Sequence, residues 1–473
     1  MTRKFRYELS TYTFVLTVLA LLSMPVSSPA QASQSTQEAK TSKSDDSVTI
    51  APKDSNDEKS NDEKSDSATP PEATPQATPQ GGLSNLARRV KTFSRNAPLR
   101  ESWYTIDLGT SHVGAVIGGF EQGALLGLGI QLTTAESLRF VELRFTALTS
   151  PNLYRRFEGE AYFRHVFGEH THADVWFDYI RRTKDNFFGI GPRIPNTTQT
   201  NFDIEDRSYN ATLFHDFSRD VQAGGYVRVS NSATYRGQKD TDIPIDFLFS
   251  GSPFTIPTSR WAPGLFTNVK ILSYGGYGSY DRRDNTRGLT KGVYLYGRVG
   301  SAQGLKNDSA FSDFGWLEAE LDGRCYIPLG SNKTSLALRG YASLKDPRGG
   351  SQIPFYDLSY LGGRMYVRGF KNYRFRGDNA ALGSAEIRQT VWTQSEERGL
   401  DVIAFGDAGQ VWGDNRSRTD PAILLNQDFS SSNWRASVGG GIQYRYSKSF
   451  GARVEIGHSH ERNLINFSVT RGF

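Results

Sequence analysis

The densest supply of chemically capable side chains in this chain is "YLGGRMYVRGFKNYRFRGD", Tyr360 to Asp378, where five Arg or Lys and five aromatics share nineteen positions. Guanidinium groups make bidentate, charge-assisted bonds to carboxylates and phosphates, and they also stack on rings. The segment keeps neither the helical nor the strand period, so it reads as a loop. Two histidine pairs, His170 with His172 and His458 with His460, each offer two imidazoles to a metal. Both read first as solvated turn residues, and no metal site is assigned. "HERNL" from His460 starts like a zinc-protease helix but carries Leu464 where the second histidine belongs. No nucleophile elbow, phosphate-binding loop or dinucleotide fingerprint occurs, so neither an enzyme nor a cofactor is expected. Arg376-Gly377-Asp378 spells an adhesion tripeptide, although a loop charge is the simpler reading.

The elements that hold these residues must be strands. Only 37% of the 473 residues are hydrophobic, while Gly (47), Tyr (22) and Phe (29) are plentiful. Lys plus Arg (55) and Asp plus Glu (50) are interspersed, with no basic stripe for nucleic acid. The single cysteine, Cys325, leaves no internal disulfide to form. Residues 1–32 read as a signal peptide: Arg3, Lys4 and Arg6, an apolar run from Phe14 to Met24, and an Ala30-Gln31-Ala32 cleavage site. Residues 33–80 are low complexity and read as a disordered linker. Residues 81–110 are basic, and Leu83, Leu86, Val90 and Phe93 fit a short amphipathic helix.

From about residue 111 to 473 the period becomes two. Trp434, Ala436, Val438, Ile442 and Tyr444 alternate with Arg435, Ser437, Gly439, Gln443 and Arg445. Leu317, Ala319, Leu321, Cys325 and Ile327 oppose Glu318, Glu320, Asp322 and Arg324. Such strands, with one apolar and one charged face, suit a transmembrane antiparallel β-barrel better than a sandwich. About sixteen strands can be placed, and short turns alternate with connections as long as 184–203, 231–268, 346–379 and 413–432. Barrels sort their loops by parity in this way. Arg144, Arg298, Glu318, Glu320, Arg324, Arg339 and Arg453 then line a hydrated lumen or a selectivity surface.

Three motifs in order resemble the BamA/TamA superfamily of outer-membrane proteins, also called bacterial surface antigens. "YDRRDNTRGLTKG" contains its turn motif at Asp281, Arg283, Asp284 and Asn285; "VRGF" at Val367 to Phe370 matches its long-loop signature; "FGDAGQVW" from Phe405 matches its F-x-D-x-G strand. The resemblance implies a long extracellular loop folded into the lumen, with Arg368 and Gly369 at its tip. It also implies that Arg368 pairs with Asp407, with Glu386 nearby, and that Phe467, Val469 and Phe473 form a C-terminal assembly signal. Members that insert proteins carry periplasmic POTRA modules before the barrel, and residues 33–110 lack that pattern.

The resemblance implies translocation or insertion of protein or lipid at the outer membrane of a Gram-negative cell. Its partners would be outer-membrane lipids, lipopolysaccharide, the assembly machinery and a separate periplasmic protein supplying the capture step. A passive gated pore, or a structural or adhesive surface protein, would use the same barrel.

Overall fold

The computed structural model describes residues 90–93, 103–110, 112–118, 120, 127–134, 140–237, 242–250, 260–284, 291–305, 313–330, 333–395, 398–413, 428–446 and 451–469. The first strands are β1 (Val90–Phe93), β2 (Trp103–Thr110), β3 (Val113–Gly118), β4 (Leu128–Thr133), β5 (Val141–Thr149), β6 (Arg155–Phe163), β7 (Thr171–Phe187), β8 (Thr200–Asp216) and β9 (Val221–Arg236). Three two-residue strands follow in a long connection: β10 (Ile243–Pro244), β11 (Phe249–Ser250) and β12 (Arg260–Trp261). Next come β13 (Asn268–Asp281), β14 (Gly292–Gly304), β15 (Gly315–Pro328) and β16 (Thr334–Pro347). The loop strands β17 (Ser359–Leu361) and β18 (Phe375–Gly377) precede β19 (Asn379–Thr393), β20 (Gly399–Trp412), β21 (Arg435–Arg445), β22 (Gly451–His458) and β23 (Asn463–Ser468).

Each long strand pairs antiparallel with the next, from β1 through β9 to β13, on through β16 to β19, and thence to β23. Among the described residues the parallel strand pairings involve only two-residue strands: β10 lies parallel beside β8, and β11 beside β12. From β3 onward, with the short strands β10, β11, β12, β17 and β18 set aside, the strands correspond one for one with the sixteen expected from sequence, and β1 and β2 extend the ladder before them. The helix expected within 81–110 is therefore corrected at Val90–Phe93, which is a strand paired residue by residue with Trp103–Ile106. Val90, Thr92 and Phe93 favour extended backbone, and an open sheet edge supplies hydrogen bonds that an isolated turn of helix lacks. The signal peptide, the linker, Asn285 and Phe473 lie outside the described residues.

The sheet rolls up. Arg193, between β7 and β8, donates from Nε to Asn433 Oδ1 at 2.9 Å, just before β21. Those strands are eight ladder steps apart, about 38 Å in a flat sheet. The segment 348–378 lies inside the roll: Arg364 Nη2 donates to Phe120 O, beyond the end of β3, at 2.8 Å, and Ser459 Oγ, after β22, donates to Gly369 O at 2.8 Å. Among the described residues no ladder joins β23 back to the first strands.

Alternation sets the two faces. Leu132, Leu213, Leu321, Val402 and Ile456 are exposed on the outer surface, whereas Glu158, Asp322, Glu386 and Arg453 are buried on the inner one. No described helix is long and apolar enough to cross a membrane, and a barrel crosses with strands. The outer row of β15 supplies a test. Leu321→Arg is expected to lower folding stability in lipid vesicles by about 2 kcal/mol, because the side chain would enter hydrocarbon. Urea unfolding in vesicles measures this, and a neutral result would mean that Leu321 faces water.

At the long-loop end the interior turns apolar. Phe187, Phe202, Ile245, Phe249, Leu265, Phe355 and their neighbours pack into a buried cluster drawn from the ends of the wall strands and from the β7–β8, β9–β13, β14–β15 and β16–β19 connections. Phe355 meets Phe187 and Phe202 with ring centroids 4.8 and 4.9 Å apart. Long loops here fold down and build a second core over the lumen.

Candidate functional site: an arginine-carboxylate cluster at the tip of the inner loop

Parity places the wall side of the site. On β19, Ser384, Glu386 and Arg388 point inward; on β20, Phe405 and Asp407 do; on β22, Arg453 and Glu455 do, and all seven are buried. Ser384 and Asp407 are direct cross-strand partners, so their side chains start from neighbouring pleats. The loop brings Arg368 to this patch, itself 2% exposed.

Arg368 uses its whole donor fork. Nε and Nη2 donate to Asp407 Oδ2 and Oδ1 at 2.8 and 2.7 Å, and Nη1 donates to Glu386 Oε2 at 2.7 Å and Glu455 Oε1 at 2.8 Å. Its backbone N–H also donates to Asp407 Oδ2, at 3.1 Å, and Ser384 Oγ donates to Asp407 Oδ1 at 2.8 Å. Glu386 is held from the other side by Arg388 Nε at 2.6 Å and by Arg453 Nη1 at 3.0 Å. Arg453 also pairs with Glu455. Three guanidinium groups thus meet three carboxylates, a neutral set in which each buried charge has opposite partners. The ring of Phe405 lies under Arg368, 3.4 Å from its guanidinium carbon, and covers the face that makes no hydrogen bonds.

The backbone fits as closely. A Cβ on Gly369 would stand 2.7 Å from Ser437 Cβ and 2.9 Å from the carbonyl of His458. A Cβ on Gly457 would meet Arg368 O at 2.7 Å. Two glycines therefore face one another where loop and wall touch. Asn466 Nδ2, on the last strand β23, donates to Arg368 O at 3.0 Å.

The structure brings together Arg368, Gly369, Asp407 and Glu386, the group implied by the family resemblance. The sequence reading missed Arg388, Glu455 and Asn466, and it placed Arg453 in the lumen without linking it to Arg368. Inward parity on β19, β22 and β23 could have nominated all four, but only curvature shows which inward residues meet the loop.

The other candidates fall elsewhere. Asp281 and Arg283 form a local pair at a short turn: Arg283 Nε and Nη2 donate to Asp281 at 2.8 and 2.6 Å, and Arg283 stacks 4.4 Å over Tyr294. Asp284 is exposed and bridged to Lys291. Arg283→Ala is expected to cost only about 1 kcal/mol in urea unfolding, since the pair is partly solvated; a loss near that of a buried cluster would assign the turn a larger part. Phe467 is exposed on the outer face and Val469 is buried. His170 and His172 lie at the start of β7, near His165 and His215, and no group of three or more metal-capable residues occurs among the described residues. The lumen charges pair locally, Arg298 with Glu320 at 2.8 Å and Arg324 and Arg339 with Asp322 at 2.6 and 3.0 Å. Arg376 and Asp378 are buried, so the adhesion tripeptide cannot reach a receptor.

An antiparallel, outwardly apolar barrel with a long loop pinned inside it by a buried arginine defines a class of membrane protein. A model of the Omp85 superfamily domain matches residues 156–457, and the chain belongs to that superfamily. It is 25% identical over 319 residues to the SAM50-like protein CG7639 of Drosophila melanogaster, covering 66% of this chain and 67% of that one. In fold it is similar to BamA from Haemophilus ducreyi lacking POTRA domains 1-3, with a TM-score of 0.55 and 13% identity over 82% of this chain and 76% of that one. The superfamily members BamA and SAM50 are transport or insertion proteins rather than enzymes.

Proposed function

We propose that the protein inserts or translocates protein or lipid clients at an outer membrane, and that the Arg368 cluster acts as a latch holding the inner loop against the wall. One observation carries the reading. Arg368 binds β19, β20 and β22 through its side chain, and its carbonyl receives Asn466 of β23, the strand at the open end of the ladder. Loop position and the last strand are thereby tied through one residue, so movement of either is felt by the other. Family membership and the likeness to a SAM50-like protein support the same role.

The partners that accompany this reading are outer-membrane lipids including lipopolysaccharide, an assembly machinery, and a separate periplasmic protein that captures clients. Reconstitution tests it. Vesicles holding the full chain should speed folding of a urea-unfolded outer-membrane barrel at least about tenfold over empty vesicles, read by its heat-modifiable gel migration. Equal rates would overturn the proposal for barrel clients. A steady pore fits the structure less well, because the inner loop and the buried apolar cluster occupy the interior at the long-loop end. Planar-bilayer recordings should accordingly be silent for the wild type and conduct when Arg368→Ala frees the loop.

A further inference from the structure

A second charged group, at the long-loop end, has a composition opposite to that of the latch. Arg374 of the inner loop, Arg193 of the β7–β8 connection and Arg435 at the start of β21 gather beside Glu461 of the β22–β23 turn. Arg374 donates to Glu461 from Nε at 2.9 and 3.0 Å and from Nη2 at 2.7 Å, and Nη2 also donates to Ile194 O at 2.6 Å. Arg435 donates from Nε and Nη2 to Pro192 O at 3.1 and 2.9 Å. Arg193 uses Nε on Asn433 Oδ1 at 2.9 Å and Nη2 on Ser432 Oγ at 2.6 Å. Among the described residues the charges near Arg435 are the like charges of Arg374 and Arg193 and the opposite charge of Glu461. His460, 4.0 Å from Glu461, adds positive charge when protonated.

Among the described residues three guanidinium groups therefore gather near one carboxylate, which Arg374 contacts directly. At the latch three share three. Among the described residues Arg193 and Arg435 bond neutral acceptors, and the half-buried Arg435 has no carboxylate in direct contact, an arrangement that an incoming anion would stabilise. An independent observation points the same way: Nη1 of Arg374 is buried with no acceptor, in a residue 2% exposed. Arg193 is exposed and Arg435 half-buried, the Arg374 guanidinium lies 4.8 and 4.6 Å from the Phe188 and Phe375 ring centroids, and the Ser432 hydroxyl accepts from Arg193.

We infer that Arg193, Arg374 and Arg435 form a binding site for a phosphate-class oxyanion, either the headgroup of an anionic lipid or a soluble phosphate. A tetrahedral oxyanion offers several acceptors to converging guanidinium forks, and its charge would balance the cluster. The inner loop contributes Arg374 and two other connections contribute the rest, so occupancy would tie three long loops together at the mouth of the barrel. The inference does not depend on what the barrel inserts.

The test uses the full chain in nanodiscs of phosphatidylcholine with or without phosphatidylglycerol, followed by native mass spectrometry, with calorimetric titration of inorganic phosphate as a separate arm. Wild type should retain phosphatidylglycerol or bind phosphate, and the pair Arg193→Gln with Arg435→Gln should weaken that binding at least tenfold. Phosphatidylglycerol retained with no phosphate uptake identifies the lipid headgroup as the source, and the reverse identifies a soluble anion. The pair Arg219→Gln with Arg282→Gln removes two charges from exposed turns at the opposite end and should leave binding unchanged. Neither anion bound by the wild type, or equal losses in both pairs of variants, would overturn the site. Heat-modifiable migration confirms that each variant is folded before it is scored.

Discussion

Replacing Arg368 by Ala is expected to destabilise the folded barrel by about 3–5 kcal/mol, the range for removing one partner from a buried charge network. The structure shows where the penalty falls. Glu386 keeps Arg388 and Arg453, and Glu455 keeps Arg453, so neither becomes an isolated charge. Asp407 retains only the Ser384 hydroxyl and the backbone N–H of residue 368, and it is 3% exposed. An almost bare buried carboxylate results. Adding Asp407→Asn to Arg368→Ala should therefore restore about 2 kcal/mol instead of costing more, a non-additivity that a double-mutant cycle in urea reads directly. Arg368→Lys should recover less than half, because a point charge cannot bridge Asp407, Glu386 and Glu455 as the planar fork does. The loop should also become cleavable by protease between residues 348 and 378. A variant within about 0.5 kcal/mol of wild type and equally protease-resistant would refute the latch.

Gly369→Val is expected to unseat the loop as completely as the loss of Arg368, although every charged residue stays in place. Its first side-chain atom would fall 2.7 Å from Ser437 Cβ and 2.9 Å from the His458 carbonyl, and backbone of a paired strand cannot yield. Overpacking of this kind costs about 1–3 kcal/mol where neighbours adjust; here the contact blocks docking itself, so the loss approaches that of Arg368→Ala. The pair of variants separates two causes. Arg368→Ala removes attraction and Gly369→Val prevents approach, yet both should raise protease sensitivity in 348–378 and lower client folding together. Gly340→Ala, where an added Cβ meets nothing within 4 Å, should be silent in the same assays. A Gly369→Val protein with wild-type protection would show that the loop docks in some other way.

The loop that supplies Arg368 also shows why its remaining cations were illegible as a string. Arg364 reaches the carbonyl of Phe120, Lys371 the side chain of Gln199, Arg374 reaches Glu461, and Arg376 the carbonyls of Phe355 and Tyr356 with Tyr373 beside it. These partners lie up to 244 residues away in the chain. Nothing local to "YLGGRMYVRGFKNYRFRGD" encodes them. A run that resembles a basic surface patch is thus dispersed among separate connections at the long-loop end and the loop's own backbone.

Alternation of apolar and charged residues determined the strands, their faces and their antiparallel order, because side chains on extended backbone take opposite sides at every step. It placed Arg453 on the inner surface, and the family resemblance implied that Arg368 pairs with Asp407, with Glu386 nearby. Period alone could not say which inward residues meet. That depended on how far the sheet curls, which brings β22 and β23 to a loop leaving β16, and on whether glycine stands at the contact. The edge strand β1 and its neighbour β2 also escaped notice. A four-residue strand carries too little period to be read, and it exists because β2 offers it a ladder of hydrogen bonds. The imbalance of three arginines against Glu461 was also hidden, since those residues come from four separate connections that meet only when the barrel is rolled.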